Sequence, residues 1–286
     1  MEAIANPGAK RRVWWEIALV LGLSLGRSAI YSIIQLIGML TDSTPLGEQV
    51  TALNPSRSAR PLLDLALQLY AILFALVPAL LALYFLALRP GEPPLRESLG
   101  LDWGAHPRMG APRRFGASRQ IGRIGRDLAQ GFGLFALVGI PGLVFFALSR
   151  SLGITVAVQA SALNAQWWTI PVLVLSAFQN GALEEIIIVG YLYRRLQDIS
   201  WNQTTTIDWR FWLFSSILRG SYHLYQGIGP FIGNFAMGLL FAWWFQSRFG
   251  RKRIIPLIIA HTLIDTIAFV GYQFAPAALL RLIGLS

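Results

Sequence analysis

The sequence predicts an all-α fold: a polytopic membrane bundle of seven or eight transmembrane helices. Three observations predict it. The 286 residues are 55% hydrophobic and 13% charged, with 17 Phe and 10 Trp, where an average soluble chain is about 25% charged. Mean hydropathy is +0.53. The apolar residues are gathered into long continuous runs, whereas barrel strands would alternate with a period of two over about ten residues. The chain has no Cys, so disulfide scaffolds, thiolate chemistry and cysteine-type zinc sites are excluded.

A helix needs about 20 apolar residues to cross the hydrocarbon core. Seven segments qualify or nearly so: 14–40, 61–88, 128–149, 167–193, 209–226, 230–247 and 254–273. The tail 276–285 is long enough for a partial eighth helix. Gly22-x-x-x-Gly26 in the first segment and Gly229-x-x-x-Gly233 in the sixth have the spacing that lets helices approach closely. Residues 1–150 are expected to hold the N-terminal transmembrane helices with an Arg-rich cytoplasmic loop, 89–127. Residues 151–286 are expected to form a helical catalytic core, the two making one structural unit. Loop 89–127, rich in Pro, Gly and Arg, is expected on the membrane surface against anionic lipid, in part as an interfacial helix.

The net charge of +10 is carried almost wholly by Arg, with Lys10 and Lys252 the exceptions. These charges fall between apolar runs, which is where the positive-inside bias puts them and not where a nucleic-acid surface would. The N-terminal head (Lys10, Arg11, Arg12) and loops 89–127, 194–210 and 248–253 are basic. The alternate loops, 41–60, 150–166 and 227–229, hold only Arg57, Arg60 and Arg150. An odd span count with a cytoplasmic N-terminus puts every basic loop on one side. The expectation is a multi-pass protein of the inner or plasma membrane whose head is retained, not cleaved.

Ionisable groups inside membrane segments are costly and normally face the bundle interior. Glu184 and Glu185 stand side by side in SAFQNGALEEIIIVGYLYRRL. His223 follows Arg219 by four residues in SSILRGSYHLYQG. His261 and Asp265 stand four apart in PLIIAHTLIDTIAF. The four-residue spacing puts His261 and Asp265 on one helix face. Asn180 lies one turn before Glu184. Glu184 and Glu185 are about 100° apart around an α-helix, so the expectation is that they do not both point at the same spot, and that one serves the chemistry while the other orients or pairs.

Two chemistries suit this set. A carboxylate can take a proton from water with help from an imidazole, while other donors hold the oxyanion. Alternatively, Glu184, His223 and His261 supply the two-His, one-carboxylate ligands of a catalytic zinc, although no HExxH motif is present. Both routes lead to hydrolysis. A proton-coupled transporter would need pseudo-symmetric halves, and the polar groups here all lie in the C-terminal half. The positions of the groups predict a site nearer the basic ends of the helices and open toward them.

Three motifs in order carry a resemblance: Glu184-Glu185-Ile-Ile-Ile-Val189-Gly190, then Arg219-Gly-Ser-Tyr-His223, then His261-Thr-Leu-Ile-Asp265. They resemble the CPBP family of intramembrane proteases, also called the Abi or CAAX-processing family, over about residues 167–273. The resemblance implies a helical intramembrane endopeptidase acting on a membrane-associated peptide or protein. By it, Glu184 and His223 would activate water, His261 and Asp265 would form the oxyanion site, and Glu185 would be the supporting carboxylate. It implies no cofactor if the mechanism is glutamic, with zinc as the alternative. A non-catalytic membrane-protein partner is the other role found in such a family, with the Arg-rich loop as its docking surface. Two departures stand out: Val189 occupies the family's Arg position and Arg219 occupies its Phe position. Arg219 is therefore expected to supply the missing cation to Glu185 from the neighbouring helix.

Overall fold

A computed structural model describes residues 6–88, 95, 99–101, 113–199, 208–276 and 280, with side chains of the helix starting at Arg113 described from residue 121. Most of loop 89–127 and of the tail 276–285 lies outside these residues, as does His106.

Among the described residues the elements are helical apart from one small sheet. The helices are α1 (Pro7–Gly22), α2 (Leu25–Thr41), α3 (Pro61–Ala75), α4 (Val77–Ala87), α5 (Arg113–Ser151) and α6 (Thr169–Glu184). A π-helix (Glu185–Tyr191) leads from α6 into α7 (Leu192–Asp198), followed by α8 (Trp209–Ser221), α9 (Ile228–Gln246) and α10 (Ile255–Phe274). Strands β1 (Val50–Ala52) and β2 (Ala157–Gln159) pair in parallel.

Local chemistry explains the boundaries. Asn6 accepts from the Gly8 amide ahead of Pro7 and so starts α1. Asp208 accepts from the amides of Arg210 and Phe211 and starts α8. Pro78 has no amide hydrogen and its ring crowds the preceding turn, which separates α3 from α4 at Leu76. The run 14–40 is broken too: α1 and α2 meet at 55°. The Ser24 hydroxyl takes the Val20 carbonyl at the break. Gly22 and Gly26 flank this bend. A Cβ on Gly22 would meet nothing within 4 Å, and one on Gly26 would strike the Leu21 carbonyl of its own chain turn. The expected helix-to-helix role of that pair is replaced by a local one.

Among the described residues, five helical stretches are long and apolar enough to cross a membrane, six if the bent α1–α2 pair is one span. Segment 209–226 falls short: α8 has 13 residues, against the roughly 20 a span needs. Residues 222–227 carry the chain on as a turn to the loop at Thr155, where Gly227 bridges to it, and α9 returns beside α8. The N-terminal part of α5 replaces the last stretch of the expected loop 89–127.

The molecule has two ends. At the basic end, Arg253 pairs with Asp127 at 2.6 Å, and the Gln130 amide reaches the Phe249 carbonyl. At the other end, the β1–β2 ladder, a Thr155–Gly227 bridge and a Gln273–Ser161 hydrogen bond join the remaining loops. In an 18-residue window of Thr169–Asp198, the central stretch, 67% of the residues are buried, against 11% in a window of Ile121–Ser151. Large apolar side chains such as Leu62, Leu73, Leu80, Ile140 and Val144 are exposed. A soluble protein would not show so extended an apolar surface; acyl chains would cover it.

Candidate active site

Glu184 closes α6 about halfway along the 30-residue stretch Thr169–Asp198. Three glycines let the surrounding helices approach. A Cβ on Gly181 would lie 2.8 Å from Thr262 Oγ1, one on Gly220 would lie 2.9 Å from the Phe231 carbonyl, and one on Gly190 would lie 2.9 Å from Ile254 Cδ1. These contacts bring α10 against α6, α9 against α8, and the residues just before α10 against the π-helix.

At this crossing Arg219 is completely buried. Its Nη2 donates to Glu185 Oε1 at 2.8 Å and its Nη1 to Glu184 Oε2 at 3.2 Å. The guanidinium lies 5.5 Å from the Phe241 ring centroid. The cation opposite Glu185 thus comes from the neighbouring helix. Val189, four residues after Glu185, is buried in the hydrophobic core.

His261 Nδ1 stands 2.7 Å from Glu185 Oε1. A carboxylate can only accept, so Nδ1 carries the hydrogen and Nε2 faces the rest of the site. That Nε2 is 3.8 Å from Glu184 Oε2 and 3.9 Å from Asp265 Oδ1. Asn180 donates to Asp265 Oδ2 at 3.0 Å. Glu184, Glu185, Arg219, His261, Asp265 and Asn180 therefore form one cluster. The adjacent acids share one cation, and only the Glu184 side chain keeps accessible surface. Two features allow the sharing: the Arg219 fork reaches both carboxylates, and the helix widens into π geometry at Glu185.

His223 does not join the cluster. It makes no hydrogen bond or ion pair with Glu184, Glu185, His261 or Asp265, and its Nε2 is buried without a partner among the described residues. The physical reason is the end of α8 at Ser221. Residues 222 and 223 enter a turn, so the four-residue step from Arg219 no longer keeps to one helix face. Tyr222 takes the position instead. Its hydroxyl donates to Glu184 Oε2, its ring lies beside His223, and its carbonyl accepts from Ser32 of α2. Sequence reasoning missed Tyr222. The available signal was a phenol in an apolar segment, which needs a partner when buried.

The two-His, one-carboxylate zinc set is not assembled. The donors that converge within 4.8 Å are Glu184, Glu185 and His261. A guanidinium already occupies both carboxylates and stands 3.5 Å from His261 Nδ1. A dication there would meet a fixed positive charge and compete for bonds already made. These residues as placed do not fit a catalytic zinc.

The fold and the site together define a helical membrane bundle with a buried acid–imidazole–guanidinium cluster at mid-span. Residues 166–267 match the family model described as type II CAAX prenyl endopeptidase Rce1-like. That stretch contains every member of the cluster. No curated protein and no solved structure gave a match.

Proposed function

We infer that the chain is an intramembrane endopeptidase that hydrolyses a peptide bond of a membrane-associated substrate, with Glu184 as the base that activates water. One observation supports it above the others. Glu184 is held through Oε2 by Tyr222 and Arg219, while its side chain keeps 9% of its surface accessible and that of Glu185 keeps none. A carboxylate oriented through one oxygen offers the other to water.

His261 and Asp265 face the same space. Glu185 holds His261 through Nδ1–H, so Nε2 is the nitrogen that takes up the proton Glu184 removes from water and, once protonated, can meet the developing oxyanion or pass that proton to the leaving amine. Asn180 orients Asp265. Glu185 and Arg219 act through their partners and do not meet the substrate. No step needs a metal, and EDTA is expected to leave the activity intact. The family description names a prenyl CAAX endopeptidase; the substrate class proposed for this chain is the broader one of a membrane-bound peptide or protein.

The test is an N-terminal peptide census of membranes from cells expressing the wild type or Glu184→Gln. New termini present with the wild type and lost with the variant support the peptidase. Identical termini with both, from equal amounts of folded protein, reject it and favour a non-catalytic membrane-protein partner.

A further inference from the structure

A cavity of about 200 Å³ lies between α3, α6 and the loop before α3. Asn54 and Arg57 of that loop, Gln68 of α3, and Ser176, Gln179 and Asn180 of α6 are among the residues that line it. Asn180 is the residue that donates to Asp265. The lining loop lies at the end opposite the basic loops, where Pro55 bridges to Ala162. The cavity at the basic end, between Trp243 and Lys252, reaches none of the clustered residues.

The lining is polar where the sequence is a membrane span. Ser176 and Asn180 lie four and eight residues before Glu184 with Gln179 beside them, so one face of α6 carries a polar stripe to Glu184. Among the described residues, the Ser176 and Gln179 side chains hydrogen-bond to nothing. Polar groups left open within a span normally serve a ligand or water path. Arg57 adds charge. Its Nε reaches Gln68 Oε1 at 3.4 Å, and its two terminal nitrogens bond to no described residue. Asp64 makes no ion pair with the guanidinium; its carboxylate accepts the amides of Arg57 and Ser58 at 2.6 and 3.2 Å. Of the two charged side chains, Arg57 is the one that lines the cavity. Arg is the side chain best shaped to hold a carboxylate. A volume of about 200 Å³ is less than one turn of a helix about 10 Å across would fill, and suits an extended segment.

We propose that this cleft is a substrate subsite for a carboxylate-bearing peptide segment, which enters from the end opposite the basic loops. Arg57 receives the carboxylate, borne on an acidic side chain or at a chain terminus. Ser176, Gln179 and Asn180 offer hydrogen bonds along the path to Glu184. The peptide identity of the anion rests on the peptidase reading; the charge preference of the cleft does not.

The chain lacks Cys, so Ser176→Cys places a single reporter thiol in the purified full-length protein. Its reaction rate is measured with the anionic sulfonatoethyl and the cationic trimethylammonioethyl methanethiosulfonates. The expected anionic-to-cationic rate ratio falls several-fold in the Arg57→Gln background and holds with Arg57→Lys. An unreactive thiol, or a ratio indifferent to Arg57→Gln, overturns the subsite. Millimolar acetyl-Leu-Leu, acetyl-Glu-Leu-amide and acetyl-Leu-Leu-amide then serve as protectants. Slower labelling with the first points to a terminal carboxylate, and with the second to an acidic side chain. Equal protection by all three, or none by any, overturns the carboxylate. Labelling needs no hydrolysis and can be repeated in Glu184→Gln, so this result and the fate of the peptidase reading are separable.

Discussion

Arg219 of α8 holds Glu185 at 2.8 Å, with neither side chain exposed. The contact crosses from one helix to another. In the resembling family's pattern the cation stands four residues after the second Glu, on the same helix; here that position is Val189. The cation opposite Glu185 stands on the neighbouring helix, where Arg219 also meets a second acid, Glu184.

Replacing Arg219 with Leu strands two buried carboxylates. Removing one partner of a buried pair typically costs about 3–5 kcal/mol, so denaturant unfolding in detergent should show a loss of that order. Arg219→Lys keeps a charge without the fork that spans both acids and should fall between. Unchanged stability in Arg219→Leu would show that the pair contributes nothing.

Tyr222→Phe removes one hydrogen bond to a charged group, worth about 1.5–3 kcal/mol, and frees Glu184 to reorient. We expect a folded protein with weakened hydrolysis. His223→Phe should weaken it less, because the His223 ring makes no bond to Glu184. Rates for the two variants on one substrate decide the order. The reverse order would mean that the turn at 222–227 rearranges when substrate binds.

Gly181→Val should separate α6 from α10. Overpacking commonly costs about 1–3 kcal/mol; the larger effect should be on rate, because the two helices carry Glu184 and His261. Gly22→Val is the control, since a Cβ there meets nothing within 4 Å.

Far from the site, Arg195 donates to Glu16 at 2.7 and 3.0 Å, to Asp198 at 3.0 Å and to the Phe85 carbonyl at 2.9 Å. Arg195→Ala should cost about 3–5 kcal/mol by removing the cation from a largely buried ion pair with Glu16 and should loosen α1. Limited proteolysis reads this directly as earlier cleavage within residues 7–22.

Zinc measured by mass spectrometry in the wild type and in His261→Ala tests the metal question. We expect no stoichiometric zinc in either. Zinc at one per chain, lost in the variant, would make His261 a ligand and require Arg219 to leave both acids.

The apolar runs made the helical bundle legible, because a span must be long and continuous to keep its backbone out of contact with lipid. The bend between α1 and α2 was not legible, since Leu23 and Ser24 sit inside an apolar run with no proline. Helix phase located His261 beside Asp265, yet it failed for His223, because nothing in Arg219–His223 announces that α8 stops at Ser221. Glu16 and Asp127 are also acids in or beside membrane segments. Their partners, Arg195 and Arg253, lie far along the chain, so proximity in sequence gave no sign of them.

The π-helix at Glu185–Tyr191 sets a phase relation between two distant parts of the protein. A turn closed from i to i+5 holds one residue more than an α turn, and one residue is about 100° of rotation. That increment fixes the direction of Arg195 relative to the acid pair. Deleting a single residue between Ile186 and Gly190 would return the segment to ordinary winding. Either Glu185 would then swing away from Arg219, or Arg195 would swing away from Glu16. Length in this segment is thus more tightly constrained than identity: an apolar side chain can be exchanged for another, but the number of residues cannot change without uncoupling the acid pair from the anchor of the first helix.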